Sequence, residues 1–157
     1  MTSAAAELHE QIAREAKRIA ESELEPFAQA VDEGAHAVSI GALAELGLVA
    51  PDLPASVGGA DADPVARAIV LEVLAGSCAS TALSVAIQGL AARLAHRAGD
   101  AALARRFALA ETTVALAFSE GRSGEDVALE TTFTLRGAEF ATGRLRGTKN
   151  VLGPATA

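Results

Sequence analysis

The sequence predicts a mostly helical protein with a small C-terminal β portion. Three observations lead there. Half of the 157 residues are hydrophobic and only 3% are aromatic, while alanine alone supplies roughly a quarter of the chain, far above ordinary usage. Up to Glu111 the chain falls into five segments of helical periodicity, punctuated by Gly, Pro, Ser and Asp. Beyond Glu111 the texture turns β-branched and alternating. Helices first and strands afterwards is the pattern of an α domain joined to a β domain, here residues 1–111 and 112–157. Small core side chains each bury little area, so several helices must share one core.

The elements follow in order. Residues 3–31 read as one long amphipathic helix, with Leu8, Ile12, Ile19, Phe27 and Val31 near one face. Ser3 is the expected N-cap. Pro26 is expected to kink or break the helix near Glu25, and Gly34 to end it. "VSIGALAELGL", residues 38–48, gives a second, short helix with Ser39 as cap and Gly47 as stop. "VAPDLPASVGGADADP" holds three prolines, two adjacent glycines and three aspartates, which makes an irregular loop. Asp63 at N-cap and Pro64 at the first helical position open a third helix through "VARAIVLEVLAGS". The fourth, Thr81 to Arg97, is nearly apolar all round and is expected to be buried on most sides. Gly99 ends it, and Asp100 caps a fifth helix, "DAALARRFALA".

After Glu111, "TTVALAF" suits a strand. "LETTFTLRG" alternates, with Leu129, Thr131, Phe133 and Leu135 on one face. Gly137 and Ala138 make a turn, "EFATGRLRG" reads as a weaker strand, and "TKNVLG" begins another. So few strands leave an open edge of unpaired backbone groups, and the β portion reads as incomplete.

Charge and composition exclude several function classes. The formal net charge is −7 with scattered Lys and Arg, which argues against a nucleic-acid surface and for an acidic cytoplasmic protein. No basic-then-apolar leader opens the chain, and no apolar run is long enough to span a bilayer. The single cysteine, Cys78, excludes an intrachain disulfide; its helical, apolar setting "GSCASTAL" suits a buried structural thiol. His9, His36 and His96 lack metal-ligand spacing, and His96 is expected near the helix dipole or in solvent.

"AFSEGRSGED", Ala117 to Asp126, is the stretch most suggestive of chemistry. An apolar strand feeds Ser119 and Glu120, followed by the small residues Gly121, Ser123 and Gly124. By residue type alone, two readings stand. The segment is an ordinary hairpin turn, or it is a cradle of free backbone N–H groups for a ligand.

Four stretches, taken in order, resemble the N-terminal part of the acyl-CoA dehydrogenases. "LAELGLVAPDLPASVGG" is similar to that family's helix and loop ending in Gly-Gly. "VLEVLAGSCASTALSVAI" is similar to its next two helices, "SEGRSGED" to its Ser/Thr-Glu loop, and "LRGTKNVLG" to its Gly-x-Lys segment. The resemblance implies a flavoenzyme of fatty acid metabolism, with a helical domain, a β domain and a second helical domain. It implies FAD as cofactor, an acyl-CoA substrate and a homo- or hetero-oligomer. It places Leu116, Phe118, Ser119, Gly124, Glu125, Val151 and Gly153 at the cofactor. It places Leu83, Ile87 and Leu90, with Glu125, at the acyl chain. Backbone donors aimed at the flavin would stabilise the charge of the reduced ring.

The sequence departs from the family pattern in three places. Glu125 stands where the family has Ser or Thr before the aspartate. Val151 and Gly153 stand where it has Trp and then Ser or Thr. The family's catalytic base is a glutamate of the second helical domain, which these residues do not include. No catalytic role is therefore assigned to Glu111, Glu120, Glu125 or Glu130. The chain alone is expected to be inactive and to hold FAD weakly or not at all. The alternatives are a non-catalytic partner subunit and a related flavin monooxygenase or nitroalkane-oxidising enzyme of the same fold.

Overall fold

The computed structural model describes residues 4–120, 130–136 and 142–152. The expectations at Ser3, Gly121, Ser123, Gly124, Glu125, Leu129, Gly137, Ala138 and Gly153 lie outside the described residues. The chain divides into two compact units, Met1–Val114 and Ala115–Leu152.

The first unit is helical. Helix α1, Ala4–Ile19, buries Ile12, Ala16 and Ile19 on one face, as the periodicity requires. The long helix expected to run to residue 31 instead departs from α-geometry before Pro26. A π-turn covers Ala20–Leu24 and a 3-10 turn covers Glu25–Phe27. Pro26 has no N–H to give the carbonyl of residue 22, and its ring crowds that carbonyl. The hydroxyl of Ser22 donates back to the Arg18 carbonyl at 2.8 Å, a bond that bends helices. Phe27 does not join the inner face. It is exposed and stacks on His36, ring centroids 4.6 Å apart. Helix α2, Ala28–Asp32, then ends before Gly34.

Helix α3 spans only Gly41–Glu45, shorter than expected, and Ser39 makes no cap: Ile40 holds that position without a side-chain bond. The chain after it is irregular, with a 3-10 turn at Ala55–Val57. It is nevertheless part of the core, since Val49, Ala50, Leu53 and Val57 are buried. Helix α4, Pro64–Ser77, opens as the sequence predicts, with the Asp63 carboxylate accepting from the amides of Val65 and Ala66 at 2.9 and 3.1 Å. Cys78 is buried but not helical. Its extended backbone separates α4 from helix α5, Ala79–Arg97, and its sulfur accepts a hydrogen bond from Thr81. Asp100 caps helix α6, Ala101–Ala108, by accepting from the Leu103 amide at 2.9 Å.

The helices pack in sequence, α1 on α4, α4 on α5 and α5 on α6. Ile12, Ile19, Leu43, Val70, Leu74 and Val85 form the main core; Leu53, Val57, Ala92 and Ala108 form a second cluster. Helix α5 is not buried all round. Its inward residues include Ala82, Val85, Gly89 and Ala92, whereas Leu83, Leu90 and Leu94 are exposed. The inward side is approached closely at one point: a Cβ on Gly89 would collide with the Val49 carbonyl oxygen. No side chain fits at that point, Val85 and Gln88 are accommodated elsewhere on the inner side, and Leu83, Leu90 and Leu94 lie outside.

Among the described residues, the second unit holds two antiparallel ribbons. Strand β1, Leu116–Ala117, pairs with strand β4, Val151–Leu152. Strand β2, Thr132–Arg136, pairs with strand β3, Thr142–Arg146. "TTVALAF" is thus a shorter strand than expected. The alternation in "TFTLR" puts Phe133 opposite Leu145, and both side chains are exposed.

Candidate functional site

The Gly-Gly loop of the helical unit is shaped by backbone contact. Gly58 adopts φ +88°, in the left-handed region. A Cβ on Gly59 would collide with the Leu53 carbonyl. The pair therefore closes a turn that no side chain fits. Asp52, nearly enclosed, fastens this loop to two helices. Its carboxylate accepts from Arg67 of α4 at 2.6 Å and from Arg93 of α5 at 3.4 Å. Burial lowers the Arg93 pKa, and Asp52 opposes the shift.

Gln88 sits among the apolar residues of α5 and is 2% exposed. Its amide nitrogen donates to the carbonyls of Phe107 and Thr112 at 2.9 and 2.7 Å. Its amide oxygen accepts from the Val114 amide at 3.0 Å. It thereby fixes the path of residues 112–114. Sequence reasoning passed over Gln88, although a long polar side chain inside an apolar helix signals a buried hydrogen-bonding task. Near the start of α4, His9 pairs with Asp63 at 2.9 Å. That bond, followed by the Ala66 amide, lowers the Asp63 pKa against the opposing effect of burial.

The expected substrate-wall residues are divided in the structure. Leu83, Leu90 and Leu94 are exposed at the i, i+7, i+11 spacing of one helix face. Ile87 flanks that stripe and is 5% exposed. The described histidines and carboxylates contain no group of three suited to a metal ion, and no described helix is long and apolar enough to cross a membrane.

In the second unit, the ribbon of β1 and β4 carries Leu116 and Val151 of the expected cofactor residues, and Phe118 and Ser119 follow β1. Leu116 pairs with Leu152 and Ala117 with Val151. Side chains alternate along a strand, so Leu116 and Val151 lie on opposite faces. Phe118 is 72% and Val151 69% exposed, and Ser119 is exposed as well. The carbonyls of Phe118 and Ser119 are engaged by the opposing segment. Lys149 Nζ donates to the first at 3.1 Å and the Asn150 amide to the second at 2.8 Å.

Glu120 is the electrostatic centre of this unit. Its carboxylate pairs with Lys149 and accepts from the amides of Glu130 and Thr131. The bond from Lys149 is the largest cause that lowers its pKa to about 2, and the amides of Glu130 and Thr131 act in the same direction. By geometry the Thr131 hydroxyl is buried without a hydrogen-bond partner among the described residues. A groove of ≈ 570 Å³ beside Glu120 is lined by Glu130, Thr132, Arg146, Thr148 and Asn150. Its described lining includes none of the described residues expected at the cofactor.

Phe118 and Val151 are exposed apolar side chains and Ser119 an exposed hydroxyl, residue types that can contact a flat ring with polar substituents.

Residues 6–110 match the family model described as acyl-CoA dehydrogenase, N-terminal domain. Over 84 residues the chain is 36% identical to the mitochondrial short-chain specific acyl-CoA dehydrogenase of Homo sapiens. That alignment covers 52% of this chain and 20% of the human protein.

Proposed function

The chain belongs to the acyl-CoA dehydrogenase family, and from that premise we propose that it is the N-terminal part of a flavoprotein that oxidises an acyl-CoA thioester between Cα and Cβ. The match over the helical unit is the observation that carries this reading. FAD, when bound, supplies the hydride acceptor. The boundary between the helical and β parts is placed at residues 111 and 112.

This chain's own residues bind and orient. Ser119 and the amides of the small residues after Glu120 meet the cofactor, with Leu116, Phe118, Val151 and Gly153 packing around it. Leu83 and Leu90 supply one wall of the acyl pocket, with Ile87 behind them. In this reading none of the chain's own glutamates is the base that removes the Cα proton, and these residues bind rather than turn over. Pure chain with an acyl-CoA and an artificial electron acceptor is expected to show no oxidation and, after desalting, no stoichiometric flavin. Turnover would overturn this part of the proposal.

Glu125 weakens ligand contact in this reading. An ionised carboxylate only accepts hydrogen bonds, where a hydroxyl also donates, and it repels a nearby phosphate. Glu125→Ser, in the protein that carries this chain, is expected to tighten CoA-ester or FAD binding severalfold, more so at low salt. Equal affinities at low and high salt would remove Glu125 from the site.

The departures at Val151 and Gly153 favour a second reading, a non-catalytic subunit that pairs with a complete enzyme. The exposed stripe of Leu83, Leu90 and Leu94 supports self-association or a partner. A monomer by light scattering at high concentration would count against both. The acidic charge supports a cytoplasmic location, which cell fractionation tests.

A further inference from the structure

Three separated pieces of chain converge on one carboxylate in the second unit. Glu120 accepts the amide of Glu130 and, through both oxygens, that of Thr131 at 3.0 and 3.2 Å. The chain that leaves at Glu120 is therefore tied where it returns at Glu130 and Thr131. Lys149 reaches the same carboxylate with Nζ and also donates to the Phe118 carbonyl. The Asn150 amide takes the Ser119 carbonyl. Gly147 lets the third piece lie close, since a Cβ there would collide with the Thr131 side chain.

The pair is half-buried. The Glu120 side chain is 7% exposed and that of Lys149 is 23% exposed. An exposed ion pair contributes little to stability. A buried one that also satisfies backbone groups is costly to break, because a lone charge and orphaned amides remain. The same two residues thus hold the Phe118 carbonyl and the amides of Glu130 and Thr131.

We propose that Glu120 and Lys149 are positioning residues, a clamp that ties the backbone at Phe118 to that at Glu130 and Thr131 and so fixes where the chain stands on either side of positions 121–129. Where Ser119 meets a cofactor, the clamp holds the backbone beside it; that consequence rests on the flavin reading, and the clamp itself does not.

The test uses the whole chain and amide hydrogen exchange at Glu130 and Thr131. Glu120→Ala is expected to speed exchange at both amides at least tenfold, and Lys149→Met at least threefold. The double variant should be no faster than Glu120→Ala alone, since both changes remove one network. Lys149→Arg should restore exchange to within about twofold of the original, because the guanidinium keeps the charge and its several donors. Exchange at Val70 and Leu74, in the helical unit, serves as the folding control. Unchanged exchange in Glu120→Ala, additive effects in the double variant, or no rescue by Arg would each overturn the clamp. The measurement needs no flavin. An intact clamp in a protein that holds no flavin would overturn the flavin reading alone.

Discussion

Replacing Gln88 by leucine tests the account of the helical unit most sharply. The substitution keeps length and bulk but removes three hydrogen bonds, two to carbonyls and one from the Val114 amide. Each has a net value of about 0.5–1.5 kcal/mol, so their loss comes to about 1.5–4.5 kcal/mol. The Val114 N–H is left without its partner, which adds about 1 kcal/mol or more where water does not reach it. Burying leucine carbons offsets about 1 kcal/mol. The expected net loss is about 3 kcal/mol, or roughly 10 °C in melting temperature for a domain of this size. Thermal unfolding followed by circular dichroism, with calorimetry for the enthalpy, measures it. A loss under about 1 kcal/mol would refute the reasoning, because it would mean that water serves residues 107–114 as well as Gln88 does.

Gly89→Ala gains helix propensity of about 1 kcal/mol, but the collision with the Val49 carbonyl is expected to reverse the sign, for a net loss of about 1–3 kcal/mol in the denaturant midpoint. Asp52→Asn leaves Arg67 and Arg93 without their shared charge and should cost about 1–3 kcal/mol, at the low end for a buried pair because both arginines are partly solvated; an unchanged midpoint would count against the tether. Asp63→Asn keeps the cap on Val65 and Ala66 but not the ionised partner of His9. The folded Asp63 pKa lies below 3.8, so its contribution is present above that value and lost as pH falls through the lower folded value. The Asn variant should show a flatter acid limb in the pH dependence of its melting temperature, and matching limbs would contradict this.

What was legible in the sequence was local. Asp63, Pro64, Gly99 and Asp100 mark helix ends through bonds made within a few residues, and each sits where the pattern places it. The family resemblance was legible as four stretches in order; the match over residues 6–110 bears out the family and covers the first two of them. Tertiary packing decided the rest. Helix α5 reads as apolar all round, yet it meets the Val49 carbonyl closely at Gly89 on one side and leaves three leucines exposed on another. Pro26 announces a break, but the helix widens ahead of it, beside the Ser22 bond to the Arg18 carbonyl. Asp52 and its two arginines come from three distant segments. Glu120 and Lys149 meet only because β1 and β4 pair in one register, and no local pattern encodes that.

The central claim is that this chain serves an FAD-dependent acyl-CoA dehydrogenase. The direct measurement is the visible spectrum of the purified protein that carries this chain, recorded before and after anaerobic addition of an acyl-CoA. The account predicts an oxidised flavin band that bleaches on addition, as electrons pass from the thioester to the bound cofactor. A preparation with no flavin band, or one whose band is unmoved by acyl-CoA of every chain length tried, would contradict it.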